Sequence, residues 1–177
     1  MKCQGKNKVI VIISILSIMC LSSINVFADR YLSFGWPSSN IPIQEYDYND
    51  VWQPAMDASL SNWNNSGAGI TYSKVSSSDN TVTAAQYSYS DYGRRYRTYS
   101  GSELLDYDIE LNARTISEDA TNFSNFVQSV FVHELGHNLW LDDNPDTTSS
   151  SIMKYSRDRN TMTNPQTYDV NSVKAKY

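Results

Sequence analysis

The chain has only two cysteines and two histidines in 177 residues. Both cysteines, Cys3 and Cys20, lie near the N-terminus. Without that segment no disulfide can staple the rest, so the core, with any metal, must hold it. Basic residues are also short, with Lys+Arg 14 against Asp+Glu 19 and a formal net charge of -5. Lys2, Lys6 and Lys8 fall in the leading segment, so the remainder is more acidic still. That balance argues against nucleic acid and against anionic membrane surfaces as main partners. No apolar run is long enough for a bilayer span; the longest, Val9 to Leu21, falls short.

What is present at the start is a run of charged, then apolar, then small residues. Three lysines precede the apolar run, and Val26-Phe27-Ala28 follows it with small residues suited to cleavage. Residues 1–28 therefore read as a secretory signal peptide, with Asp29 as the mature N-terminus. The protein is expected to be secreted and extracellular, with no membrane anchor after cleavage. Met19 is an awkward neighbour for a lipidated Cys20, and the short run disfavours an uncleaved anchor. Residues 29–177 make one domain, long enough to bury its own core.

The domain reads as an α/β alternation. Ile41-Pro42-Ile43-Gln44-Glu45-Tyr46 alternates as a half-buried strand does. Asp50 and Gln53 resemble a capping box, and Trp52, Met56, Leu60 and Trp63 recur at helical spacing, predicting an amphipathic helix over 51–64. Residues 70–75 return as a strand. Thr81–Tyr89 is a weaker strand candidate, and the tyrosine-rich Tyr87–Ser102 stretch, with Arg94, Arg95 and Arg97, reads as a solvated loop or an exposed sheet edge. Interleaved Tyr and Arg can bind single-stranded nucleic acid, but an acidic exported domain favours the loop or edge. Leu105, Tyr107, Ile109 and Leu111 alternate with acids, a strand with one buried face.

A helix starting near Asn122–Ser124 is apolar nearly all round, which predicts burial. It carries His133-Glu134-Leu135-Gly136-His137. Four residues make about one helical turn, so both imidazoles share a face and can meet one ion. Glu134 is offset by about 100° and can reach a metal-bound water. A third ligand is needed for a stable zinc site. No Glu, Cys or His follows His137, which leaves Asp142, Asp143, Asp146, Asp158 and Asp169.

The stretch from His133 to Asp143 resembles the extended metzincin motif HExxHxxGxxH/D, with Asp143 in the third-ligand register and Asp142 the alternative if the turn shifts by one. Ser151-Ile152-Met153-Lys154-Tyr155 resembles the Met-turn, with Met153 beneath the metal and Tyr155 where some relatives ligate zinc or stabilise the transition state. Trp36-Pro37, Trp63-Asn64, Asp108–Asn112 and Asp169–Tyr177 resemble matrixin-like elements less specifically. The resemblance implies an α/β (α+β) metzincin-like catalytic domain: a twisted mixed sheet packed on a central active-site helix, a Met-turn and a C-terminal helix. It implies a secreted zinc metalloendopeptidase acting as a monomer on protein or peptide substrates. Zinc on His133, His137 and Asp143 would activate a water, with Glu134 as general base and Tyr155 assisting.

Two departures stand against the pattern. Trp140 occupies the family's turning glycine, so the turn is expected to be built differently. No prosegment or blocking cysteine is expected between Ala28 and the first strand. Calcium stays open, since Asp142 to Asp146 could supply oxygen ligands. The alternatives are an exported metal-containing binding or adhesion module without proteolytic activity, and a fold in which the motif is accidental.

Overall fold

The computed structural model describes residues 30–177; the expected signal segment and its cleavage point before Asp29 lie outside them. The described chain runs β1 (Asn40–Gln44), α1 (Gln53–Asn64), β2 (Thr71–Val75), β3 (Thr81–Ala85), β4 (Gly93–Ser100), β5 (Glu103–Asn112), α2 (Ala113–Asp119), α3 (Phe123–Asn138) and α4 (Thr167–Lys174). None of these helices is long and apolar enough to cross a membrane.

The expectation of one twisted mixed sheet is corrected. β1 and β2 form a parallel pair, while β3, β5 and β4 form a separate sheet in that order. The reason lies at Pro42, which has no amide to offer a ladder on β1. In place of a neighbouring strand, its carbonyl accepts from the Asn80 side-chain amide at 2.8 Å and from the Tyr107 hydroxyl at 2.9 Å. The Asn80 side-chain Oδ1 in turn accepts from the Tyr107 backbone amide at 3.2 Å. A buried asparagine thus bridges the two sheets where a continuous ladder would otherwise run.

Local chemistry sets the helix starts. Asp50 does not cap α1; the Asn49 side chain accepts from the amides of Val51 and Trp52, and Gln53 accepts from Tyr48. Asn112 caps α2, a short helix that the sequence reading does not anticipate, and Asn122 caps α3. The same Asn112 donates to the carbonyls of Tyr89 and Asp91, holding that loop against the end of β5. The Tyr–Arg stretch is strand rather than loop: β4 pairs antiparallel with β5 and lies at the sheet's edge.

Buried side chains of both sheets and of α1 surround α3, whose length from Phe126 to Leu135 is almost wholly buried. Two polar anchors fix it. The Trp63 indole donates to the Val132 carbonyl at 2.9 Å, and the Tyr72 hydroxyl donates to that of Leu135 at 2.6 Å. Both donors belong to fully or nearly fully buried aromatics, so packing and hydrogen bonding act together to set the helix's rotation.

The chain leaves α3 through Trp140, which adopts φ 73°. The turn keeps the left-handed backbone and puts a tryptophan in it, against the expectation of a different construction. That conformation costs a non-glycine residue about 1–2 kcal/mol. Contacts around the indole offset the strain. Gly35 lies so close that a Cβ there would be 2.4 Å from the ring's Cγ, and the Lys176 ammonium sits 5.1 Å from the ring centroid. Segment 30–36 braces the same turn: Leu32 donates to the Trp140 carbonyl at 2.8 Å, Trp36 to that of Asn138 at 2.8 Å, and Asp142 donates to Arg30 at 3.1 Å. Gly35→Ala is expected to lower stability by about 1–3 kcal/mol, because the rigid indole must shift. Urea unfolding of the variant beside the native protein measures it.

Candidate metal centre

α3 delivers His133 and His137 one turn apart, with ring centroids 4.8 Å from each other. Each ring is turned by a backbone carbonyl. His133 Nδ1 lies 3.0 Å from the Ile152 oxygen, and His137 Nδ1 lies 2.8 Å from that of Leu141. With Nδ1 engaged as a donor, both Nε2 atoms are left to face a common point. Asp143 arrives from the loop after Trp140. Its Oδ1 lies 3.2 Å from His133 Nε2 and 3.8 Å from His137 Nε2. The ligand atoms of all three residues fall within 4.8 Å of one another.

This donor set fits a divalent cation. Asp143 Oδ1 is buried and accepts no hydrogen bond, an arrangement that is costly unless a positive charge faces it. Burial works to raise the Asp143 carboxyl, but the neighbouring imidazoles and the Tyr155 hydroxyl overcome it and hold the group well below the usual carboxylate range. Burial and the adjacent His133 push His137 down to about 3, which keeps it neutral and free to ligate at physiological pH. Two imidazoles and one carboxylate form a borderline-soft set suited to zinc, and three ligands leave a position open. The competing candidate is otherwise engaged: Asp142 Oδ1 accepts from the Asp143 amide at 2.9 Å. Asp146 lies 3.9 Å from Arg30, and Asp158 caps Asn160 and Thr161.

Glu134 lines the same open groove, a cavity of about 660 Å³. Burial raises its carboxyl, and the charges of His133 and Arg95 offset part of that. Room for it depends on Gly93, where a Cβ would be 2.7 Å from Glu134 Oε1. Met153 is buried beneath the helix, and a Cβ at Gly136 would be 2.8 Å from its sulfur. Tyr155 is exposed at the groove's rim, and the nearby Asp143 carboxylate pushes its phenol up to about 12. The structure therefore brings His133, Glu134, His137, Asp143, Met153 and Tyr155 to one place.

Sequence reasoning missed two contributors. Asp169, buried at the start of α4, accepts from the Ser151 hydroxyl and from the amides of Ile152 and Gln166, the latter two at 2.8 Å each. It thereby pins the turn whose Ile152 carbonyl orients His133. Arg157, also buried, donates to the Ser129 hydroxyl at 3.1 Å and to the Lys154 carbonyl at 2.9 Å. Neither role was readable locally, because Ser151 and Ile152 lie 18 and 17 residues from Asp169, and Ser129 lies 28 from Arg157.

No family model matches the chain, and no curated protein matches it. Solved structures do match, among them a chain of the "GM1 bound form of the ECX AB5 holotoxin". The likeness has a TM-score of 0.58 at 13% identity, and covers 85% of this chain and 86% of that one. At that identity it shows the fold alone. These findings correct the sequence-based identification. Membership of the metzincins, the metzincin-like fold class and the assignment as a zinc metalloendopeptidase are overturned, since no family model or curated relative carries them. What is shown is a small mixed α/β fold like that of the toxin chain.

The metal centre makes its own prediction. Asp143→Asn should weaken zinc binding by at least tenfold, while Asp142→Asn should leave it near native, as read by zinc titration against a chelating indicator. Asp169→Ala should cost about 3 kcal/mol in thermal or urea unfolding, since it leaves two buried donors and one half-buried donor unpaired. The same variant should weaken zinc binding through the loosened Ile152 carbonyl.

Proposed function

We propose that the chain is an exported binding module that holds one zinc ion on His133, His137 and Asp143 at the floor of an open groove, and receives its ligand there. The observation that carries this reading is the buried, unbonded Asp143 Oδ1 facing two oriented imidazoles inside a groove with an open side. Export is supported by the leader at residues 1–28 together with the likeness to a toxin chain. That neighbour belongs by its title to an AB5 holotoxin in GM1-bound form. GM1 is therefore the first surface ligand to try, and an assembly with other chains is a closer guide than a solitary monomer. Zinc, when bound, supplies a Lewis acid that can coordinate a ligand oxygen. Around it, Tyr155 and the groove arginines offer hydrogen bonds.

Glu134 is the discriminating residue. A binding role needs it only as a neighbouring charge, whereas a carboxylate beside an open metal position is also the part that hydrolysis would require. The test uses the purified secreted protein and its Glu134→Ala variant. Zinc content, capture by GM1-bearing vesicles, retention of peptides on an array, and cleavage of unfolded proteins are measured on both. The expected result is one zinc in each and chelator-sensitive ligand capture by each, with no cleavage. Chelator-sensitive cleavage by the native protein that Glu134→Ala abolishes would overturn the binding reading in favour of catalysis. Absence of zinc from both would overturn the metal centre.

A further inference from the structure

The chain has seven arginines. Three of them have a carboxylate partner: Arg30 with Asp146, Arg94 with Asp91, and Arg114 with Glu118. Among the described residues the other four, Arg95, Arg97, Arg157 and Arg159, form no ion pair, and all four line the groove over the metal ligands. In a chain where acids outnumber bases, this distribution is not what a solvated surface gives.

The four cations flank the metal ligands along α3. Arg157 is anchored on Ser129, and Arg95 donates to the Asn138 side chain at 3.0 Å. Those anchor points are nine residues apart, about 13 Å along the helix, with His133, Glu134 and His137 between them. Arg97 reaches over the Phe34 ring beside Arg95, its guanidinium carbon 5.0 Å from the centroid, and Arg159 lies 4.8 Å over Tyr92. The Nε atoms of Arg95 and Arg159 are buried without a hydrogen-bond partner. Desolvation brings Arg95 down to about 10 and Arg157 to about 9, so both stay cationic at neutral pH. Of the acids facing the same groove, Asp91 is taken by Arg94, Asp143 serves the metal, and Glu134 and Asp142 remain. With a divalent ion in place the groove is net positive. Buried guanidiniums without counter-ions are costly, and a ligand's carboxylates can supply what is missing.

We propose that the groove is built to receive an acidic peptide segment, with carboxylates seated on Arg95 and Arg97 on one side of the metal ligands and on Arg159 at the other. A peptide is favoured over other anions because β4, which carries Arg95 and Arg97, is the outer strand of its sheet and offers main-chain groups beside them. The inference rests on the reading that the groove is where the ligand binds.

The test is fluorescence anisotropy with a labelled Asp/Glu-rich peptide and its Asn/Gln counterpart. It uses the native protein, Arg97→Gln and Arg159→Gln, with Lys174→Gln as a control at an exposed cation that does not line the groove. Arg97 and Arg159 are at least partly exposed, and a thermal melt checks that each variant is folded. The native protein should prefer the acidic peptide at least tenfold. Arg97→Gln and Arg159→Gln should each cut that preference by about 5- to 50-fold, and Lys174→Gln should leave it. Equal binding of the two peptides, no binding of either, or a preference that survives both substitutions would overturn the proposal. So would arginine-dependent capture of a sialylated oligosaccharide without any acidic-peptide preference. Zinc content measured on the same samples separates the two readings. Full zinc with no acidic preference removes only this inference, whereas an acidic preference without zinc removes the metal centre.

Discussion

Everything about this domain is organised around charge buried on one helix. α3 is apolar enough to lie inside the protein, and the same turn that shares its apolar face carries two imidazoles and a carboxylate inward. Charge in that setting is tolerated only when it is paired, hydrogen-bonded or neutralised. The surrounding architecture supplies those partners from four distant places: the Trp140 turn with Asp143, the Met153 turn with its Ile152 carbonyl, β4 with Arg95, and the Arg157 loop. Each acts on the helix through an atom whose position is itself fixed by something else.

The bracing is hierarchical. Asp169 holds Ser151 and Ile152, Ile152 orients His133, and His133 faces Asp143. In parallel, residues 30–36 hold the backbone of Trp140 to Asp142, which carries Asp143 toward the imidazoles. The strained φ of Trp140 belongs to this second chain of support. A left-handed residue there redirects the chain within a single step, and the indole's contacts with Gly35 and Lys176 offset the strain. The chain thus reaches with a tryptophan a backbone conformation that glycine adopts freely.

Legibility in the sequence follows the range of the interactions. Period-two alternation marked β5, and apolar patterning with Asn122 marked α3, because both are decided by neighbours in the chain. The spacing of His133 and His137 marked the shared face for the same reason. What depended on distant residues stayed hidden. Pro42 gave no sign that Asn80 and Tyr107 would hydrogen-bond its carbonyl and divide the sheet. Asp169 read as one of five acids open as a third ligand, Arg95 as part of a loop or sheet edge, and Arg157 carried no local signal. The turn leading into α1 is held by Asn49 rather than Asp50, since the two are chemically near-equivalent and only the chain's approach decides between them. The family resemblance had its specific residues only between His133 and Tyr155, and a local register of that kind could not establish membership for the whole chain.

That gap between local register and whole fold is physical. A fold is a way of packing elements, and the chemistry of a site is set by a handful of side chains that the packing happens to converge. At 13% identity the toxin chain and this one share packing, which constrains where a groove can lie but not what it does. The discriminating information is therefore in what the groove leaves unsatisfied. Here that is one carboxylate oxygen facing two imidazoles, and buried guanidinium nitrogens with no acceptor. The first calls for a cation and the second for an anion, and they lie within one cavity. A ligand that meets both would bring negative charge to the arginines and an oxygen to the proposed metal, so neither a bare hydrocarbon surface nor a simple cation suits the site. The acidity of the rest of the chain sharpens this choice, because it repels anions everywhere except where the arginines gather.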